Sequence, residues 1–214
     1  MADVLVYAEH QGGHFPKTTL IAVNAGLEVA RKRSGNCIAV IMGEGADAAA
    51  AEIAKYGVSK VIVLEDPRLE HHLADAAAQA LAGLTKSTGA ETVLATATAL
   101  GKDLMPRLAA RLNAAMASEI IAINDDGTFV RPMYAGNALA TIELEGPVRV
   151  VTVRGTAFDA AKATEAAAPI EKVKAELEAA GLKMEFVSFN AIKAPTGSVR
   201  TTPSAMVMGN LKLP

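Results

Sequence analysis

Short apolar runs, mostly rich in valine and isoleucine, recur along this chain, and a longer stretch of helical period follows most of them. That alternation constrains the fold more than any other feature. A strand covered on both faces reads as an unbroken apolar run. Two such strands in parallel need a crossover of a dozen or more residues, usually a helix. The pattern therefore predicts an α/β fold: a parallel sheet with helices on both faces. The strand candidates are residues 4–8, 37–42, 60–64, 92–97, 119–123 and 148–153. Gly, Asp, Thr or Ser bounds them.

The helix candidates lie between them, at 20–32, 47–56, 69–86 and 103–113. Thr18 or Thr19 is the expected cap of the first, with Leu20, Val23, Leu27 and Ala30 on one face. Gly57 ends the second and Gly89 stops the third. Pro106 falls in the first turn of the fourth, where a missing N–H costs little. After residue 123 the period changes. Asn124 to Gly127 reads as a turn, and TFVRPMYAGNALATIELEG as two antiparallel strands joined around Ala135, Gly136 and Asn137. Pro132 belongs near an edge or bulge, since it cannot donate to a ladder. A small antiparallel hairpin unit is thus expected beside the parallel sheet. Residues 170–180 read as an amphipathic helix and 184–189 as one more strand. From Phe186 to Pro214 there is no Asp or Glu, and no period survives. The expected organisation is a folded unit over 1–189 and an irregular tail over 190–214.

Several function classes can be set aside. A formal net charge of −2 over 214 residues argues against nucleic acid as the main partner. Aromatic residues make up 4%, with no Trp, which removes base-stacking platforms. No apolar run reaches the roughly 18 residues that a membrane span needs. The opening ADVLVYAEH lacks the basic stretch of a leader, so a mature bacterial cytoplasmic protein is expected. The single Cys37 sits in CIAVIM and reads as a buried, inert thiol. His10, His14, His71 and His72 do not have the spacing of a metal site, because adjacent helical positions diverge by about 100°. No GxSxG, HExxH or CxxC motif appears, and no catalytic residue is expected.

Three segments carry a family resemblance: GKDLMPRLAARL (101–112), FVRPMYAGNALATIEL (129–144) and VRVVTVRGTAFDAA (148–161). Together they resemble the N-terminal domain of the electron transfer flavoprotein alpha subunit, and the similarity extends over residues 4–187. The resemblance implies the sheet of adenine nucleotide alpha hydrolases. It implies a heterodimer with a beta subunit that holds AMP. It also implies an alpha C-terminal domain that carries most of the FAD. Such complexes take electrons from acyl-CoA and other flavin dehydrogenases in fatty acid beta-oxidation and pass them to a membrane quinone oxidoreductase. The family's SGGRG-type flavin loop does not occur in these 214 residues, and the tail is expected in place of that domain. FAD is thus expected in the complete heterodimer, with weak or absent binding by this chain alone. The resemblance places Arg131, Tyr134 and Asn137 in the hairpin that meets the partner, and His10 is a further interface candidate at the sheet's carboxyl edge. The alternative is a stand-alone adenine-nucleotide-binding regulatory module that uses the turns near Ala8, Gly43 and Thr98.

Overall fold

The computed structural model describes residues 2–179, 182–184 and 186–188. In chain order the elements are β1 (Val4–Tyr7), α1 (Lys17–Lys32), β2 (Cys37–Met42), α2 (Ala46–Ile53), β3 (Lys60–Glu65), α3 (Ala74–Thr88), β4 (Thr92–Thr96) and α4 (Ala99–Leu112). Then follow β5 (Ala115–Ile120), β6 (Ala122–Ile123), β7 (Phe129–Met133), β8 (Ala138–Ile142), β9 (Arg149–Val153) and β10 (Ile170–Lys174). Seven strands form one parallel sheet in the order β10-β3-β2-β1-β4-β9-β5. A three-stranded antiparallel sheet, β6-β7-β8, is attached to it. The expected α/β sheet with an appended antiparallel unit is what the chain forms.

Strand alternation divides the core into two layers. Val4 and Val6 of β1 pack with α1 and α2 on one face. Leu5 and Tyr7 pack with α3 and α4 on the other. The alanine-rich helices sit close to the sheet. A Cβ built on Gly26 of α1 would stand 2.2 Å from Val6 Cγ2, so only glycine lets α1 lie on β1 at this height. Cys37 is buried there, and burial pushes its thiol up to about 12, which keeps it protonated and inert.

Several elements differ from the sequence expectation, each for a physical reason. The described residues of 170–180 are not in an α-helix: Ile170–Lys174 is a parallel edge strand against β3. Ion pairs run along it, Lys60 to Glu171 at 2.8 Å and Lys172 to Asp47 and Glu65 at 2.8 and 3.0 Å. The described residues of 184–189 are not in a strand; Glu185, Phe189 and the tail 190–214 lie outside the described residues, as does Ala180. The stretch 119–123 is divided between two sheets. β5 ends at Ile120 after a register shift, with Glu119 in the left-handed region at φ 53°, and the chain then turns into β6. α4 begins at Ala99, four residues before the expected start, so Pro106 lies inside the helix. Pro106 is exposed, where water can take the carbonyl it leaves free. α1 begins directly behind Pro16, and neither Thr18 nor Thr19 caps it. The stretch 69–86 is divided too. Asp66 caps a short 3₁₀ turn at Pro67–Leu69, His71 and His72 lie in a loop, and α3 follows from Ala74.

Candidate functional site: the sheet's carboxyl edge and the hairpin

Strand order places the switch point of the sheet between β1 and β4, beyond Tyr7 and Thr96. In open α/β sheets this crevice is where ligands bind. Here three threonine hydroxyls close it. Thr96 Oγ1 donates to the Thr18 carbonyl at 2.8 Å. Thr19 Oγ1 donates to the Glu9 carbonyl at 2.6 Å. Thr98 Oγ1 donates to the Glu9 carboxylate at 2.5 Å and accepts from the Gly101 amide at 3.0 Å, capping α4. Thr98 thus takes one of the free amides of the helix start, and a half-buried carboxylate stands in front of it. Burial raises the Glu9 carboxyl above its ordinary value, and the Thr98 hydrogen bond partly offsets this. Gly101 serves packing: a Cβ there would fall 1.9 Å from the Thr96 carbonyl oxygen.

Beside this crevice lies an imidazole pair, His10 buried and His72 half-buried. His10 Nε2 hydrogen-bonds the Met42 carbonyl at 2.9 Å. A carbonyl only accepts, so Nε2 carries the proton and Nδ1 presents a lone pair. That Nδ1 is buried without a hydrogen-bond partner among the described residues. His72 meets the His10 ring edge to face, and its Nδ1 lies 3.4 Å from the Tyr7 hydroxyl. The ring rests on Gly43, where a Cβ would come within 2.5 Å of His72 Cε1 and where φ is 105°. The glycine turn after β2 thus makes room for His72. Burial pushes the His72 pKa down to about 4, with the charges of His10 and His71 adding to the effect. Burial lowers His10 as well, partly offset by its bond to Met42. Burial raises the Tyr7 phenol, with Glu9 adding. His10 is 3% exposed. It faces Met42 and His72, not a surface, so the sheet edge offers no side chain of His10 to a partner. No group of three or more His, Cys, Asp or Glu among the described residues could hold a metal ion.

The hairpin is different in character. On one face Phe129 and Ile123 enter the core, with Ile142 packed against it. The other face carries Val130, Pro132, Leu139 and Thr141, all uncharged. Leu139 is 65% exposed and Tyr134, at the tip, 77%. Tyr134, Ala135 and Gly136 are consecutive left-handed residues, and the Asn137 amide closes the tip by donating to the Tyr134 carbonyl at 3.2 Å. Arg131 points with Phe129 and is half-buried, its Nε buried without a hydrogen-bond partner among the described residues. The structure thus brings Arg131, Tyr134 and Asn137 together on one projecting unit and leaves His10 apart from them.

The base of this unit is fixed by charge, which the sequence reading missed. Lys32 at the end of α1 donates to the Ile123 carbonyl at 2.6 Å and pairs with Glu28 and Asp125, each at 3.0 Å. Arg33 reaches the Gly127 carbonyl at 3.3 Å. Glu119, at the bend of β5, is held by Lys102 and by Arg154, the latter at 3.0 Å. Those two cations hold its carboxyl below the ordinary range. Apart from the i,i+4 pair of Glu28 and Lys32, these contacts link residues 17 to 94 positions apart, and no local motif marks them.

A seven-stranded parallel sheet with an attached three-stranded antiparallel sheet defines an α/β domain. The chain matches the Electron transfer flavoprotein domain over residues 4–178. It belongs to that family. Among curated proteins it is 35% identical to the probable electron transfer flavoprotein subunit alpha, mitochondrial, of Schizosaccharomyces pombe, over 89% of this chain and 55% of the relative. It is 38% identical to electron transfer flavoprotein subunit alpha of Pseudomonas aeruginosa, over 82% of this chain and 55% of that protein. The Bacillus subtilis subunit alpha is 33% identical, over 81% and 54%. The chain spans about half the length of the curated relatives it matches.

Proposed function

We propose that this chain is the docking domain of an electron transfer flavoprotein alpha subunit. It carries the beta subunit and a flavin-bearing domain, and it performs no chemistry of its own. The observation that carries this reading is the hairpin: an uncharged apolar face with Leu139 and Tyr134 exposed, on a base pinned by Lys32 and Arg33. An exposed tyrosine at the tip matches the chemistry of interface hot spots, where tyrosine is enriched. The complete complex would carry electrons from flavin dehydrogenases to a quinone oxidoreductase. Its setting would be the bacterial cytoplasm; no helix among the described residues is long and apolar enough to cross a membrane.

FAD belongs to that complete complex. The described residues do not fit it here. The crevice beyond β1 and β4 is laced by Thr19, Thr96 and Thr98, and Glu9 would face a phosphate with a carboxylate. The same closure counts against a stand-alone adenine-nucleotide module. The test is to mix the purified chain with a beta subunit and follow complex formation by sedimentation. A one-to-one complex that Tyr134→Ala weakens supports the reading; two independent species overturn it.

A further inference from the structure

An exposed strand edge is a row of unpaired donors and acceptors that invites another strand. The edges of this protein are treated unequally. At one end of the main sheet, β10 is guarded by Glu171, Lys172 and Lys174, all exposed. At the other end, β7 lies against β5. In the small sheet, β6 has two residues. β8 has five, Ala138–Ile142, with no charge and no proline. It pairs with β7 on one side. No strand among the described residues pairs with its other side. The usual guards against edge pairing are thus present on β10 and absent from β8.

We propose that, alone in solution, this chain forms a two-fold dimer by antiparallel pairing of β8 with β8 of a second copy. The sequence of the strand is self-complementary about Ala140. In that register Ala138 faces Ile142, Leu139 faces Thr141, and Ala140 faces itself across the axis. Faces are preserved, because the paired positions share parity. Aliphatic and β-branched side chains then meet across the strands. The next pair sets Asn137 beside Glu143, an amide donor beside a carboxylate, so the exposed Glu143 of one copy does not meet Glu143 of the other. A closed isologous contact of this kind uses one patch twice and stops at two copies. The dimer goes beyond the docking reading and occupies the hairpin that reading assigns to a beta subunit.

Sedimentation of the chain alone over a range of concentrations tests it, so the outcome is separate from the beta-subunit experiment. The expected result is a monomer–dimer equilibrium that Leu139→Lys weakens roughly tenfold or more. Val187→Lys, which changes an exposed apolar residue (70%) outside the hairpin, is expected to leave it unchanged. Hydrogen exchange of the unmodified chain gives a second reading: protection of the Ala138–Ile142 amides should rise with concentration. A monomer at all concentrations, a dimer indifferent to Leu139→Lys, or exchange in β8 that is independent of concentration would each overturn the proposal.

Discussion

The rings of His10 and His72 lie 5.2 Å apart between centroids with their planes at 80°, His10 buried and His72 half-buried against Gly43. The unfolded chain takes up a proton on His72 near the ordinary value of 6.5, whereas the folded one resists until about pH 4. A depressed imidazole pKa means that the contribution to stability is full above the unfolded value and is lost as pH falls toward the folded one. The unfolding free energy should therefore drop on the order of 2 kcal/mol between those limits, with the lowered His10 acting in the same direction. The raised Glu9 carboxyl acts oppositely, because the folded state takes its proton more readily. His72→Gln should flatten the slope. Urea unfolding at about pH 7.5 and about pH 5 reads it; an unchanged slope in the variant would contradict the assignment.

Gly101 marks where α4 meets β4. Gly101→Ala places a methyl group 1.9 Å from the Thr96 carbonyl oxygen, a backbone atom that cannot swing away. The expected cost is about 2 kcal/mol, within the usual range for overpacking a tight contact. Urea unfolding at neutral pH measures it. A loss within a few tenths of a kcal/mol would mean that the helix start is looser than described.

At the hairpin tip, Ala135 holds φ 55° and is exposed. Ala135→Gly should relieve the left-handed strain and raise stability by about 0.5–1 kcal/mol, less the extra chain entropy of glycine. Tyr134→Ala should change stability little and weaken partner binding at least tenfold, by about 1.4 kcal/mol. Thermal unfolding and titration calorimetry separate the two effects.

The closed crevice has its own consequence. AMP or ATP should leave the melting temperature of the chain unchanged, since a ligand stabilises only the state it binds. A saturable rise with nucleotide would favour the regulatory-module reading instead.

The parallel sheet was legible because strands buried on both faces, such as Val4–Tyr7 and Cys37–Met42, must read as continuous apolar runs. The hairpin was legible from Ala135, Gly136 and Asn137 between two β-rich runs. β10 was not. IEKVK followed by AELEAA has a helical period, and what makes it a strand is the ladder to β3 with Val173 packed against the core, more than a hundred positions away, to which the exposed ion pairs of Glu171 and Lys172 add little. Position 119 was misread for a related reason. The bend there depends on Lys102 and Arg154 gripping Glu119, and no local signal announces it. Within the candidate site, Arg131, Tyr134 and Asn137 do share the projecting hairpin. His10 was placed at the correct sheet edge, but its burial follows from His72, 62 positions later, folding over it.

The most direct measurement is sedimentation of this chain mixed with an electron transfer flavoprotein beta subunit, recorded together in the ultraviolet and at the flavin absorption band. The expected result is a one-to-one complex, lost or weakened in Tyr134→Ala, while this chain alone sediments without flavin absorbance. Separate boundaries for the two proteins, or a flavin boundary carried by this chain alone, would contradict its assignment as a docking domain.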